Sequence, residues 1–362
     1  PDQSGFWTDP SSGIALSHRR LSVIDLSANA NQPMISSNKR YVIVYNGEIY
    51  NFIHLRNFLR KKIKFKTKCD TEVLLELIST LGLEKTVTKL NGIFAFAVWD
   101  KKEKKLSLCR DRVGIKPVYF YWDKKNFAFG SEMKSLKVLS WLNFEISKES
   151  LSSYVRLNYI PSPNSIYENV FKLEPGSIFE IFLDKRTHLK KYWDLEGSNI
   201  LTNRTEPSDT HSILNNAVVN QMVSDVPLGV FLSGGVDSSL IAALAQKNSA
   251  KKINSFTIGF EDNAFDEAPY AKEISETLGT NHNEVYFNNT DINNLLGDLP
   301  ILYDEPFADS SQLPTMLLSK ITKKEVTVAL SGDGADELFG GYYRYFMAEK
   351  YEKYIYSQPK VL

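Results

Sequence analysis

The chain has 362 residues, enough for two domains, and its 43% hydrophobic and 24% charged content is that of an ordinary globular protein, which excludes a disordered or fibrous class. Lysine plus arginine and aspartate plus glutamate both number 43, so no global field draws the chain to nucleic acid or anionic lipid, and neither partner is expected. No apolar run reaches the ~18 residues of a membrane span, no signal-peptide pattern is seen, and two cysteines give no disulfide framework, so the expected compartment is a reducing cytoplasm.

The chain opens with Pro1 in PDQSGFW and stops at YSQPKVL, in what reads as a tyrosine-rich helical region, so the expectation is a fragment cut at both ends. Residues 1 to about 135 carry strand signals: GIALSHRRLSV, YVIVYNGEIY, IFAFAVWD, KLSLCRD, PVYFYW and NFAFG, several joined by short polar turns. Helices are predicted near 53–61 and 70–82. Hairpin strands with few helices between them predict antiparallel sheets. The lysine-rich patches at 61–68 and 101–105 fall at turn-like places and read as solvated surface. Residues 150–200, with Pro161, Pro163, Pro175 and Gly176 among short strand-like pieces, read as a connector. From about residue 205 the pattern changes: VPLGVFLS, INSFTIGF, HNEVYF and EVTVAL are short apolar or β-branched runs separated by helical stretches near 236–248, 266–278 and 311–323. That alternation predicts a parallel sheet with crossover helices.

In the alternating half the first strand passes into the first helix through LSGGVDSS, residues 232–239. Ligands of such sheets bind at the carboxyl ends of strands. Gly234 and Gly235 let the backbone approach a ligand, and the N–H groups of the helix start favour an anion. Ser233, Ser238 and Ser239 add hydroxyls. Asp237 would repel phosphate unless a cation lay between them, and Mg²⁺, a hard cation held by carboxylates and phosphate oxygens, suits that position. A helix cap with a tight turn would need one such residue, not six. A second polar loop, SGDGADELFGGYYR at 331–344, follows the strand EVTVAL, so two loops can face one nucleotide. The common phosphate loop with its lysine is absent. His18, His54, His188, His211 and His282 show no metal-ligand spacing.

With these two loops, HRRLSVIDLS, YNGEIYN, CDTEVLL and RDRVGIKPVYF make a set that resembles, in order and over nearly the whole chain, the glutamine-hydrolysing asparagine synthetases. The resemblance implies an α+β antiparallel sandwich of the N-terminal-nucleophile hydrolase type, residues 1–195 with the connector, as a class II glutaminase. An α/β parallel-sheet ATP-pyrophosphatase domain of the adenine nucleotide alpha hydrolase type would occupy 205–362. It further implies glutamine, aspartate and ATP as substrates, Mg²⁺ as cofactor, an internal ammonia tunnel and a homodimer.

Carried over residue by residue, the resemblance assigns Arg20 to glutamine's carboxylate and Glu48 and Asp70 to its ammonium group. It assigns Asn46 and Gly47 to the oxyanion hole. Read alone, YNGE is a hairpin turn and Arg20 an exposed strand end. Leu232, Ile258, Ser331 and Gly332 would contact adenosine, Ser233 to Ser239 would cradle pyrophosphate, and Asp237 with Asp336 would hold Mg²⁺. Asp333 takes the place of a catalytic glutamate. DEPFADSSQLPT, 304–315, would line the acceptor side or the tunnel, or form a helix cap.

Two departures bear on activity. The family's nucleophile is an N-terminal cysteine with a free amine; Pro1 is not that residue, and Cys69 and Cys109 suit core packing, so this chain as it stands is expected to lack glutaminase activity. Asp333 instead of glutamate leaves other acceptors open: a sugar acid, a peptide or a lactam-forming substrate. A non-catalytic nucleotide-binding homologue is the remaining alternative.

Overall fold

A computed structural model describes residues 1–196, 207–262 and 266–357. Two compact units divide them, the first comprising Pro1–Ile213, Val223–Asp225 and Asn294–Gln312, the second the remaining described residues.

The first unit starts with a hairpin, β1 (Gln3–Asp9) and β2 (Ile14–Arg20). β3 (Met34–Ile35) and β4 (Tyr41–Ile49) follow, then the helices α1 (Phe52–Leu59), α2 (Asp70–Leu81) and α3 (Leu83–Val87). Next come β5 (Gly92–Asp100), β6 (Lys105–Arg110), β7 (Tyr119–Trp122), β8 (Phe127–Gly130), α4 (Met133–Lys137), α5 (Lys148–Leu157), β9 (Val170–Lys172), β10 (Ser177–Phe182) and β11 (Thr187–Lys191). A six-stranded antiparallel sheet runs β11-β10-β6-β5-β4-β3, and a three-stranded sheet runs β8-β7-β9. Strand parity sends alternate side chains to opposite faces. Ile43, Tyr45, Phe94, Phe96, Val98 and Cys109 pack with Val73, Leu74 and Leu77 of α2 and with α1, while Val42, Val44, Ala95, Ala97, Trp99 and Leu108 pack against Leu16 of the hairpin and Phe120 of the smaller sheet. The unit is therefore a sandwich of antiparallel layers with helices on one outer face. Both cysteines are buried and free, as core packing requires.

Residues 150–196 correct the connector expectation. β10 pairs with β6 and β11, and β9 pairs with β7, so the stretch completes both sheets. Proline and glycine marked its turns, but the partners of β9 and β10 lie about 50 and about 70 residues earlier in the chain and leave no local trace.

The second unit carries most of the alternating elements: α6 (Pro207–Gln221, which crosses the unit boundary), β12 (Leu228–Phe231), α7 (Val236–Lys247), β13 (Asn254–Phe260), α8 (Ala268–Leu278), β14 (Asn281–Phe287) and α9 (Asn289–Leu296). α10 (Leu299–Leu302) belongs to the first unit, and α11 (Gln312–Thr322), β15 (Val328–Leu330), α12 (Ala335–Phe339) and α13 (Tyr343–Ser357) follow. All pairings are parallel, in the order β14-β13-β12-β15. The sheet grows outward from β12 and then reverses to place β15 on the other side, so the strand order switches between β12 and β15. Ligand crevices of doubly wound sheets open at such a point.

Candidate active sites

In the first unit, β4 carries Asn46, Gly47 and Glu48 in mid-strand, opposite Ala95, Phe94 and Ile93 of β5. Asn-Gly is therefore not a hairpin turn here. A β-carbon on Gly47 would fall 2.2 Å from the Ile93 carbonyl oxygen and 2.6 Å from Phe94 Cα, so only glycine allows this approach. Asn46 Nδ2 donates to Ser131 Oγ at 3.4 Å.

Asp70 opens α2, fully buried, and ties it to β4: Tyr45 Oη and the Ile49 N–H donate to its Oδ2 at 2.8 and 2.9 Å. Burial raises its pKa against those hydrogen bonds. Glu48 lies in its field. Burial first, then the Asp70 charge, pushes the Glu48 carboxyl up to about 7, while Lys116 pulls it down. Lys116 is placed by Asp111, whose carboxylate accepts from the N–H groups of Phe94, Val113, Ile115 and Lys116.

Arg20 is buried, not an exposed strand end. Its Nη1 donates to Gln3 Oε1 and the Ser27 carbonyl, and its Nη2 to the Ile24 and Asp25 carbonyls. Asp25 joins it to the Asp70 segment, because Asp25 Oδ2 accepts from the Lys68 N–H at 2.6 Å. Asp25, Ser131 and Lys116 escaped sequence reading. Asp25 was quoted within HRRLSVIDLS, but its left-handed backbone, φ 61°, and its partners are tertiary facts.

In the second unit, LSGGVDSS is the β12-to-α7 turn and SGDGADELFGG the β15-to-α12 turn. The two loops touch: a β-carbon on Gly332 would fall 2.9 Å from the Ser238 nitrogen and 3.1 Å from Asp237 Cβ. Gly234, at φ 83°, is pressed against Tyr270 Cβ. The serine hydroxyls shape the turn. Ser233 Oγ and Ser238 Oγ are 2.9 Å apart, and Ser238 and Ser239 donate to the Gly235 carbonyl at 3.2 and 2.6 Å.

Asp237 lies in the first turn of α7 and makes no side-chain cap bond. Asp336 sits in the first turn of α12 with its carboxylate against Gly341. Ser331 Oγ donates to Asp333 Oδ2 at 3.0 Å, and Asp333 is exposed. The Leu232 side chain is core, 1% exposed, so a contact with adenosine falls to its backbone. Ile258 is half-buried on β13. Among the described residues no group of three or more His, Cys, Asp and Glu is placed to hold a metal ion.

The segment 304–311 holds caps. Asp304 accepts from the Met133 and Lys134 N–H groups at the start of α4, and Asp309 accepts from the Ser311 N–H. Glu305 forms a largely buried ion pair with Lys172 and accepts from the Ile166 N–H. Lys172→Met is expected to lower stability by on the order of 3 kcal/mol, because Glu305 stays buried without its cation. Adding Glu305→Gln should restore most of it. Urea titrations measure this, and a Lys172→Met variant as stable as the wild type, or no more stable once Glu305→Gln is added, would show that the unpaired Glu305 charge costs nothing.

Residues 1–193 match the glutamine amidotransferase domain family and residues 209–359 the asparagine synthase family. A Methanocaldococcus jannaschii protein, provisionally named a glutamine-hydrolysing asparagine synthetase 2, is 38% identical over 383 residues, covering 100% of this chain and 73% of that protein. The glutamine-hydrolysing asparagine synthetase 1 of Bacillus subtilis is 39% identical over 344 residues, covering 94% of this chain and 54% of its own length. The chain thus spans about three-quarters of the first relative and about half of the second. With both halves matched in order and an antiparallel sandwich preceding a parallel sheet whose two glycine-rich loops touch, the chain belongs to the glutamine-hydrolysing asparagine synthetase family.

Proposed function

We propose that this chain carries the ATP-dependent amidation of aspartate to asparagine with nitrogen from glutamine, as a carbon–nitrogen ligase. The observation that carries the synthetase half is the contact of Gly332 with Asp237 and Ser238 at the strand-order switch, which presents two polar loops to one ligand. There the first-turn N–H groups of α7 receive the ATP phosphates. The aspartate side-chain carboxylate attacks the α-phosphorus, pyrophosphate leaves, and ammonia then attacks the acyl carbon and expels AMP. Asp237 and Asp336 offer hard oxygen donors that fit Mg²⁺ once phosphate oxygens complete its shell; the ion would offset charge on the departing pyrophosphate. Asp333, which accepts from Ser331, would take the part of the catalytic glutamate.

In the first unit, Arg20 takes glutamine's carboxylate, Glu48 and Asp70 its ammonium group, and Asn46 Nδ2 with the Gly47 N–H the oxyanion.

Ammonium can replace glutamine in the synthetase assay, so the chain can be tested directly for pyrophosphate release from ATP. Release that requires aspartate is expected. Release with a sugar acid or peptide but not aspartate would reassign the acceptor, and none with any carboxylate would favour a nucleotide-binding homologue.

Glutamine binding should depend on pH. Glu48 must be ionised to hold an ammonium group, and with its pKa at about 7 the ionised fraction rises from roughly a tenth at pH 6 to roughly nine-tenths at pH 8, strengthening affinity by about tenfold. Calorimetry over that range measures it, and Glu48→Gln should flatten the profile. Stability runs the other way. The folded pKa lies above the ordinary 4.5, so Glu48's contribution is fully present below 4.5 and is lost as pH rises through about 7.

A further inference from the structure

The loop that follows Arg20 is bonded to a distant segment of the chain. The Asp25 N–H donates to Asp225 Oδ2 at 2.8 Å, and the Asp225 N–H donates to the Val23 carbonyl at 2.9 Å. Asp25 is a hub. Its carbonyl accepts from Arg20 at 2.6 Å, its Oδ1 from the Ser27 N–H at 3.0 Å, and its Oδ2 from the Lys68 N–H two residues before Asp70. Partial burial raises its carboxyl, but the hydrogen bonds from Ser27 and Lys68 and the Arg20 charge hold it below the usual range. Residues 223–225 belong to the first unit, and the chain then passes through Val226 and Pro227 directly into β12, which ends at LSGGVDSS.

Arg20 has both Nη groups committed to Gln3, Ser27, Ile24 and Asp25. A two-pronged carboxylate must take at least one Nη hydrogen from these partners. Three of the four lie in the 24–27 loop, so ligand capture and loop geometry compete for the same donors.

We propose that Asp225 is a positioning residue that reports glutamine occupancy: a carboxylate on Arg20 redistributes its bonds to the 24–27 loop, and Asp25 passes the change through Asp225 to the segment entering β12. The inference rests on Arg20, Glu48 and Asp70 being the glutamine site. It predicts reciprocal coupling between glutamine and nucleotide.

Hydrogen exchange on the 362-residue chain tests it without needing the N-terminal nucleophile. Saturating L-glutamine should change exchange over 20–27 and also over 223–228, by about fivefold, the low end of ordinary coupling. In Asp225→Ala the response over 20–27 should persist and that over 223–228 should vanish. Asp225→Asn should keep both, because its amide oxygen can still accept from the Asp25 N–H. Thermal melting checks each fold, and the wild-type response stands as a test even where the alanine variant unfolds. A wild-type chain whose 223–228 segment ignores glutamine, or an alanine variant that keeps the response, would overturn the relay and leave the glutamine site intact. No calorimetric binding of glutamine at all would remove both.

Discussion

Asp237→Asn is expected to lower carboxylate-dependent pyrophosphate release from ATP by at least about a hundredfold, roughly 3 kcal/mol of barrier or more. Asparagine keeps the size of the side chain and tolerates the α7 first turn. It loses the charge that would hold a cation against the pyrophosphate. The structure sharpens the contrast with a purely structural role. Asp237 makes no cap bond, Gly235 occupies the cap position, and the turn is held by Ser233, Ser238 and Ser239 instead. The melting temperature should therefore hold, since asparagine keeps the side chain's size and the hydroxyl bonds that shape the turn stay in place. A variant that releases pyrophosphate at the wild-type rate would remove Asp237 from the reaction.

Asn46→Ala is expected to cut glutaminase kcat by about 10²–10³-fold with little change in KM, once an N-terminal segment beginning with cysteine precedes Pro1. An oxyanion donor acts on charge that develops only in the transition state, so its loss appears in kcat. The backbone should survive. Asn46 lies mid-strand in β4 opposite Ala95, and its side chain makes one long bond, to Ser131. Ser131→Ala should be milder, because it only frees the amide to rotate. A rise in KM at constant kcat would instead make Asn46 a ground-state contact.

Of the two sites, the nucleotide loops were the more legible. SGGVDSS and SGDGADELFGG each lie within one strand-to-helix turn, and glycine, hydroxyl and carboxylate requirements of a turn are local, so they are written in consecutive residues. That two such loops could face one nucleotide was also legible, but their contact depends on β15 pairing with β12, which only the strand order shows. The proposed glutamine site was nameable as residues but not as an arrangement. Read alone, Arg20 was an exposed strand end, whereas it is buried and four oxygens of its own unit surround it, and nothing in the sequence marked Glu48 as a carboxyl that burial beside Asp70 pushes up to about 7.

What the sequence determined by itself was periodic and short-range. The continuous apolar runs YVIVY and IFAFAVW specify strands buried on both faces, one set of side chains against α1 and α2 and the other against the second layer, and strand-helix alternation after residue 205 specifies a parallel sheet. What the tertiary structure alone decided depends on partners far apart in the chain. β10 completes a sheet begun at β3, Asp304 caps a helix 171 residues before it, and Asp225 reaches a loop 200 residues before it. The reason is physical: a hydrogen bond or ion pair across such a separation constrains where two residues meet, not what surrounds either of them in sequence. Burial, and the charge states that follow from it, therefore emerge only when the whole unit closes.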